Sequence, residues 1–278
     1  MSTIQKKFFN QKKIKLISKD STFKWIKYLN SKSLATIKGH YNLIKQLSEY
    51  IYEEDSRHEL LPFFYGKKTT KRKSYHIYKS QEVLSILKAT HSLPPFMSNT
   101  YYTLIGLLAS TGMRIGELLA LDIDDIDLIN CIIRIKKDKK KRERRVLIDP
   151  TVAKKLRKYQ KICNALFDRK KCSSFFLSTT GTRPLRQNVF FCFKRLLKKV
   201  NLNAIVPRPR IHDFRHTFII NTLIRFYDEG KNVESKLYYL STYVGHASPS
   251  STYWYLSSTP ELMSCATRLL AKKVRGNL

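Results

Sequence analysis

Apolar residues recur at Ile37, Tyr41, Ile44, Leu47 and Ile51 while Lys38 and Lys45 lie off that stripe, a three-and-four spacing that predicts an amphipathic helix over 34–54. A shorter helical stretch over 22–29 precedes it, so the chain is expected to open on a small helical unit. Residues 66–73 read GKKTTKRK, with no apolar position, which is the pattern of a linker. From Tyr75 onward helices mix with short strands. Helices are predicted over 81–89 and 101–110, the second closed by Gly112, where a left-handed residue is often required. The run Cys131-Ile132-Ile133-Arg134-Ile135 predicts a strand and Arg145-Val146-Leu147-Ile148 its return, joined through the basic stretch KKDKKKRER. After Pro150 the pattern is again helical, broken by a short strand over 174–177. It ends in a short helix after Pro249 and a last one over 260–273. The expected fold class is α+β, mainly α with a small antiparallel β-sheet, divided into a helical N-terminal domain (1–65), a basic linker (66–74) and a larger domain (75–278).

Charge changes the picture more than size does. The 278 residues hold 53 Lys and Arg against 21 Asp and Glu, a formal net charge of +32. Part of this excess goes with a composition rich in Lys, Ile and Asn. The larger part calls for a polyanionic partner, and a nucleic-acid backbone fits best, because each Lys or Arg docked on a phosphate releases a condensed counterion. Apolar residues make up 42% of the chain, which excludes a mainly disordered tail. Cys131, Cys163, Cys172, Cys192 and Cys265 are odd in number and widely separated, and read as reduced thiols rather than disulfides or zinc ligands. With no long apolar run and a polar, basic start, the protein is expected to be soluble and cytoplasmic, with no membrane partner.

Four short segments could carry chemistry. In TGMRIGELLAL, Arg114 follows a glycine turn and precedes a helix, a position suited to phosphate but equally to an ion pair with Glu117. In RIHDFRH, His212 and Arg215 stand three apart and would share one helical face, pairing a protonatable donor with a fixed guanidinium. Val244-Gly245-His246-Ala247 would present one imidazole from a turn. Thr252-Tyr253-Trp254-Tyr255 offers two phenols, which attack poorly at a free pKa of ~10 unless cations surround them, and which could as well be core aromatics.

Taken together, in this order and with a tyrosine nine residues beyond His246, these segments resemble the tyrosine recombinase family of phage integrases and Xer-type resolvases. The likeness runs from about Tyr75 to Ala271. It implies a tyrosine-recombinase catalytic domain preceded by a short core-binding domain that clamps DNA. Arg114 matches the family's first catalytic arginine, His212 and Arg215 its H-x-x-R box, His246 its G-H histidine and Tyr255 its nucleophile, with Tyr253 the near competitor. Glu117 matches a carboxylate that positions Arg114. The family's hairpin lysine corresponds to Lys139, or to Lys137 or Lys140 if the loop differs by one residue. The polar stretch YDEGKNVES looks like a small insertion.

The resemblance implies that Tyr255 attacks a phosphodiester of double-stranded DNA to give a 3′-phosphotyrosyl bond, with no cofactor, metal or ATP. Arg114 and Arg215 would hold the phosphate oxygens, His212 and His246 would hydrogen-bond there, and Lys139 would protonate the leaving 5′-oxygen. It also implies a homo- or hetero-tetramer on DNA, with partner recombinases possible and the 260–273 helix docked on a neighbouring protomer or on its own core. The protein would associate with the nucleoid, and LSTYVGHASPSSTYWYLS is similar to recombinases of transposon-like mobile elements. Rival readings are DNA relaxation like that of type IB topoisomerases, and a non-catalytic DNA-binding regulator. The G-H box and small size favour recombination over the first, and the complete set of firm matches argues against the second.

Overall fold

A computed structural model describes residues 17–28, 34–62, 74–136, 143–246, 248, 250–258, 262–264, 267–268 and 271. The chain falls into two compact units, Met1–Lys73 and Ser74–Leu278.

In the first unit, helices α1 (Lys19–Tyr28) and α2 (Leu34–Tyr52) bury Ile17, Trp25, Tyr41, Ile44 and Leu61 in a small core. The apolar stripe read along 34–54 is the buried one. Tyr41 satisfies its hydroxyl on the Pro62 carbonyl at 2.8 Å, which ties the chain beyond α2 back to that helix. The basic 66–73 segment lies outside the described residues.

The second unit is mainly helical with one small sheet. Its helices are α3 (Ser80–Ala89), α4 (Pro95–Thr111), α5 (Ile115–Ala120), α6 (Pro150–Leu166), α7 (Arg186–Lys199), α8 (Asp213–Asp228), α9 (Val233–Val244) and α10 (Ser250–Ser258). Strands β1 (Ile126–Asp127), β2 (Ile132–Ile135) and β3 (Arg144–Leu147) pair antiparallel in the order β1-β2-β3. Ile133 stands opposite both Ile126 and Val146, so the alternation buries Ile133 and Val146 completely. At the end of the hairpin nearest the connecting segment, Ile135 pairs with Arg144.

Helix α4 begins at Pro95, well before the predicted start. Proline lacks only an N–H that is unsatisfied anyway in the first turn of a helix, so Pro94-Pro95 opens the helix rather than blocking it. The strand expected over 174–177 does not form. Phe175, Phe176 and Leu177 are buried, but the chain bends at Phe175 and Phe176 and the segment makes a single bridge, Asp122 to Ser174, where its partner turns into a 3-10 helix at Ile123–Asp125. The YDEGKNVES stretch is the last turn of α8, a tight turn around Gly230 (φ 65°) and the start of α9, capped by the Asn232 side chain on the Ser235 N–H.

Two clusters form the core of this unit. One joins α3 to α7, the sheet and Phe214; the other joins Ile219, Ile220 and Leu223 of α8 with α9, Tyr255 and Leu262. Helix α8 therefore contributes to both, and the candidate residues gather at the seam. Leu262, on the predicted C-terminal helix, is buried against its own unit at 1% exposure, while most of 260–273 lies outside the described residues. Cys131, Cys163, Cys172 and Cys192 are free thiols. No helix among the described residues is long and apolar enough to cross a membrane.

Candidate active site

Gly112, in the left-handed region at φ 61°, ends α4 and lets the chain re-enter a helix three residues later, at Ile115. A Cβ there would sit 2.6 Å from the Phe218 ring. Arg114 caps α5 in an extended conformation, and Glu117 reaches back to accept its backbone N–H at 3.0 Å and its Nη1 at 2.9 Å. From the other side comes Arg144, the first residue of β3. It donates Nη2 to Glu117 at 2.8 Å, Nη1 at 3.1 Å, and Nε to the Tyr243 carbonyl at 3.0 Å. Burial works to raise the Glu117 pKa, but the hydrogen bonds and charge of Arg144, joined by Arg114, hold it down at about 2.

Arg215 is 3% exposed. Its Nη1 donates to the carbonyls of Gly112 (3.0 Å) and Val244 (2.7 Å), linking the turn after α4 to the end of α9. Its Nη2 is buried with no hydrogen-bond partner among the described residues. Burial, then repulsion from Arg114, lowers its pKa to about 9, with Glu117 and Tyr255 opposing, so it stays charged at neutral pH.

His212 does not share a helical face with Arg215 in the way its spacing predicts. It is the cap of α8, since Asp213 folds back to accept the Arg210 N–H at 2.8 Å and the helix begins there. It lines the cavity beside the site, and its ring meets His216 edge-on at 5.2 Å. Loss of hydration and the Arg215 charge hold its pKa below the usual value.

Gly245 ends α9 at φ 73°, and a Cβ on it would lie 2.6 Å from Arg144 Nη1, so the guanidinium packs directly on the backbone. The next residue, His246, bonds through Nδ1 to Thr252 Oγ1 at 2.6 Å. Burial and the nearby Arg215 and Arg114 push its pKa down to about 4. On α10, Thr252 and Tyr255 face inward, 0% and 3% exposed, whereas Tyr253 is 49% exposed. Tyr255 lies parallel to His246 with centroids 6.4 Å apart, and its hydroxyl is 2.7 Å from His216 Nδ1.

Arg114, His212, Arg215, His246 and Tyr255 therefore converge. Beside them opens a cavity of about 430 Å³ lined by Arg114, Glu117, Lys136, Arg144, Arg186 and His212. Lys139, with Lys137 and Lys140, lies outside the described residues. Lys136, the last described residue before this stretch, and Arg144, at the start of β3 beyond it, both line the cavity, and Lys136 is held by Asp122 and Asp125 at 3.0 Å each. Sequence reasoning missed Arg144, visible only as a charge at the start of a strand. It also missed His216, one helical turn beyond His212 and so on the same side.

This fold and this gathering of arginines and histidines around a buried tyrosine define a class, the tyrosine-type site-specific recombinases. The chain belongs to the phage integrase family, whose model matches residues 76–261. It is 32% identical over 223 residues to the protein named integrase/recombinase y4rB of Sinorhizobium fredii, covering 77% of this chain and 69% of that one. It is 28% identical over 249 residues to the tyrosine recombinase XerC of Chlamydia caviae, covering 86% and 73%. In fold it is similar to the Tn1549 transposon integrase solved with transposon right-end DNA, with a TM-score of 0.67 at 20% identity, covering 93% of this chain and 87% of that one.

Proposed function

We propose that this recombinase cuts and rejoins duplex DNA through Tyr255, in the service of a mobile element. The observation that carries the reading is the convergence of Arg114, Arg215 and His246 on a buried tyrosine, with one Arg215 donor lacking a partner among the described residues. The Tyr255 oxygen attacks phosphorus, the bond to the 5′-oxygen breaks, and a 3′-phosphotyrosyl link conserves the bond energy for rejoining. Arg114 and Arg215 hold the non-bridging oxygens as charge accumulates, the electrostatic role that dominates phosphoryl transfer. Neutral His212 and His246 each add an N–H. By resemblance Lys139 protonates the leaving 5′-oxygen.

Duplex DNA as substrate accords with the +32 charge and with the transposon-end DNA bound by the Tn1549 integrase. The 1–65 unit would clamp the duplex and 66–74 would track its phosphates, while strand exchange calls for two duplexes and four protomers, of this chain alone or with partner recombinases. A nicked suicide duplex drawn from the DNA flanking the gene tests the reading. In EDTA the wild type should form an SDS-resistant covalent adduct, and Tyr255→Phe should form none. An adduct of undiminished yield in Tyr255→Phe would refute it.

A further inference from the structure

We propose that His216 is a catalytic residue of this site, holding the Tyr255 hydroxyl at Nδ1 and taking its proton as the phenol oxygen attacks phosphorus. The proposal rests on the reading of Tyr255 as nucleophile. A phenol is a weak nucleophile until its proton is removed, and a base must lie within hydrogen-bond reach to remove it. His216 Nδ1 is 2.7 Å from that oxygen. Two other candidate bases are engaged otherwise, His246 through Nδ1 with the Thr252 hydroxyl and Glu117 between two guanidinium groups, and the third, His212, meets the His216 ring edge-on.

The surroundings of the ring fix its position and its state. Tyr75 stacks on it at 4.6 Å and 17°, and Tyr78, three residues on, is pinned to α8 by its N–H on Thr217 and its ring on Phe214. His212 meets the ring edge-on, and Tyr255 lies against it from α10. The charged and titratable groups around it are His212 and Arg210 before α8, Arg215 on α8 and His246 after α9. Burial and these neighbours hold the imidazole pKa at about 3, so it is neutral in the free protein. With its proton on Nε2, Nδ1 is an acceptor. A phosphodiester entering between Arg114 and Arg215, and gaining negative charge in the transition state, offsets the positive field that opposes protonation.

The step balances. The Oη–H bond of Tyr255 breaks and the proton passes to Nδ1, the Oη–P bond forms, and the P–O5′ bond breaks as the general acid protonates the leaving oxygen. On rejoining, the imidazolium returns its proton to the departing phenol, so a single residue serves both directions.

Single-turnover cleavage of a suicide duplex by saturating full-length enzyme tests this, with thermal unfolding and DNA binding as checks on the fold. His216→Ala should cleave about 10²- to 10⁴-fold more slowly at pH 7. Its rate should climb about tenfold per pH unit toward pH 9 as hydroxide replaces the missing base, while the wild type stays nearly flat. His216→Asn, which keeps a hydrogen-bonding group near the Nδ1 position but cannot take up a proton, should be as slow as His216→Ala. Asparagine restoring cleavage to within threefold of wild type, or an alanine defect equal at every pH, would reduce His216 to a structural contact and overturn the proposal. Tyr255→Phe run in parallel separates the two claims, for cleavage by that variant would remove the nucleophile assignment whatever His216 does.

Discussion

A carboxylate spanned by two guanidinium groups keeps its charge far into acid, and Glu117 is placed so by Arg114 and Arg144. Its pKa lies at about 2 in the folded protein against an ordinary 4.5. Because the folded value is the lower one, the stabilisation is complete above the unfolded pKa and is lost as pH falls through the folded one. Glu117→Gln should therefore be less stable than wild type by about 2 kcal/mol near neutral pH, discounted for partial solvent access. Urea unfolding at a series of pH values should show the gap narrowing between about pH 4.5 and 2. A gap constant with pH would mean that Glu117 acts through packing and not charge. At this scale Arg114, His212, Arg215, His246 and Tyr255 were legible because their family spacing is linear along the chain. Arg144 and His216 were not, since each has its meaning from a partner far away in sequence: Glu117 for the first, Tyr255 for the second.

Helix ends carry the site more than helix faces do. Two left-handed glycines, Gly112 and Gly245, close α4 and α9, and the carbonyls beside them, Gly112 and Val244, are the two that Arg215 grips. At Gly245 a side chain meets both backbone strain at φ 73° and the Arg144 guanidinium. Gly245→Ala should cost roughly 1–3 kcal/mol, and part of that loss should disappear when Arg144 is already alanine. A double-mutant cycle on unfolding free energy measures the coupling, and simple additivity would show that the contact is immaterial. Hairpin periodicity and the glycine stop of α4 could be read directly. Two features were missed: a local one, the proline pair that opens α4, and a tertiary one, an apolar 174–177 segment that bends after a single bridge because its neighbour curls away.

At the scale of the whole molecule, the +32 charge predicts that DNA affinity falls steeply with salt, by about 10³- to 10⁵-fold between 50 and 200 mM if six to ten phosphates are neutralised. Fluorescence anisotropy on a labelled duplex gives the slope, and a flat dependence would contradict the reading of this charge as a phosphate-binding surface. The chain divides at Ser74, and the family match over residues 76–261 falls within the larger unit. The measurement that reaches the central claim most directly is mass spectrometry of the peptide left on DNA after proteolysis of the trapped covalent adduct. The account predicts a single phosphate-linked tyrosine, Tyr255, joined to a 3′ DNA end. Linkage through Tyr253, or to a 5′ end, would contradict it.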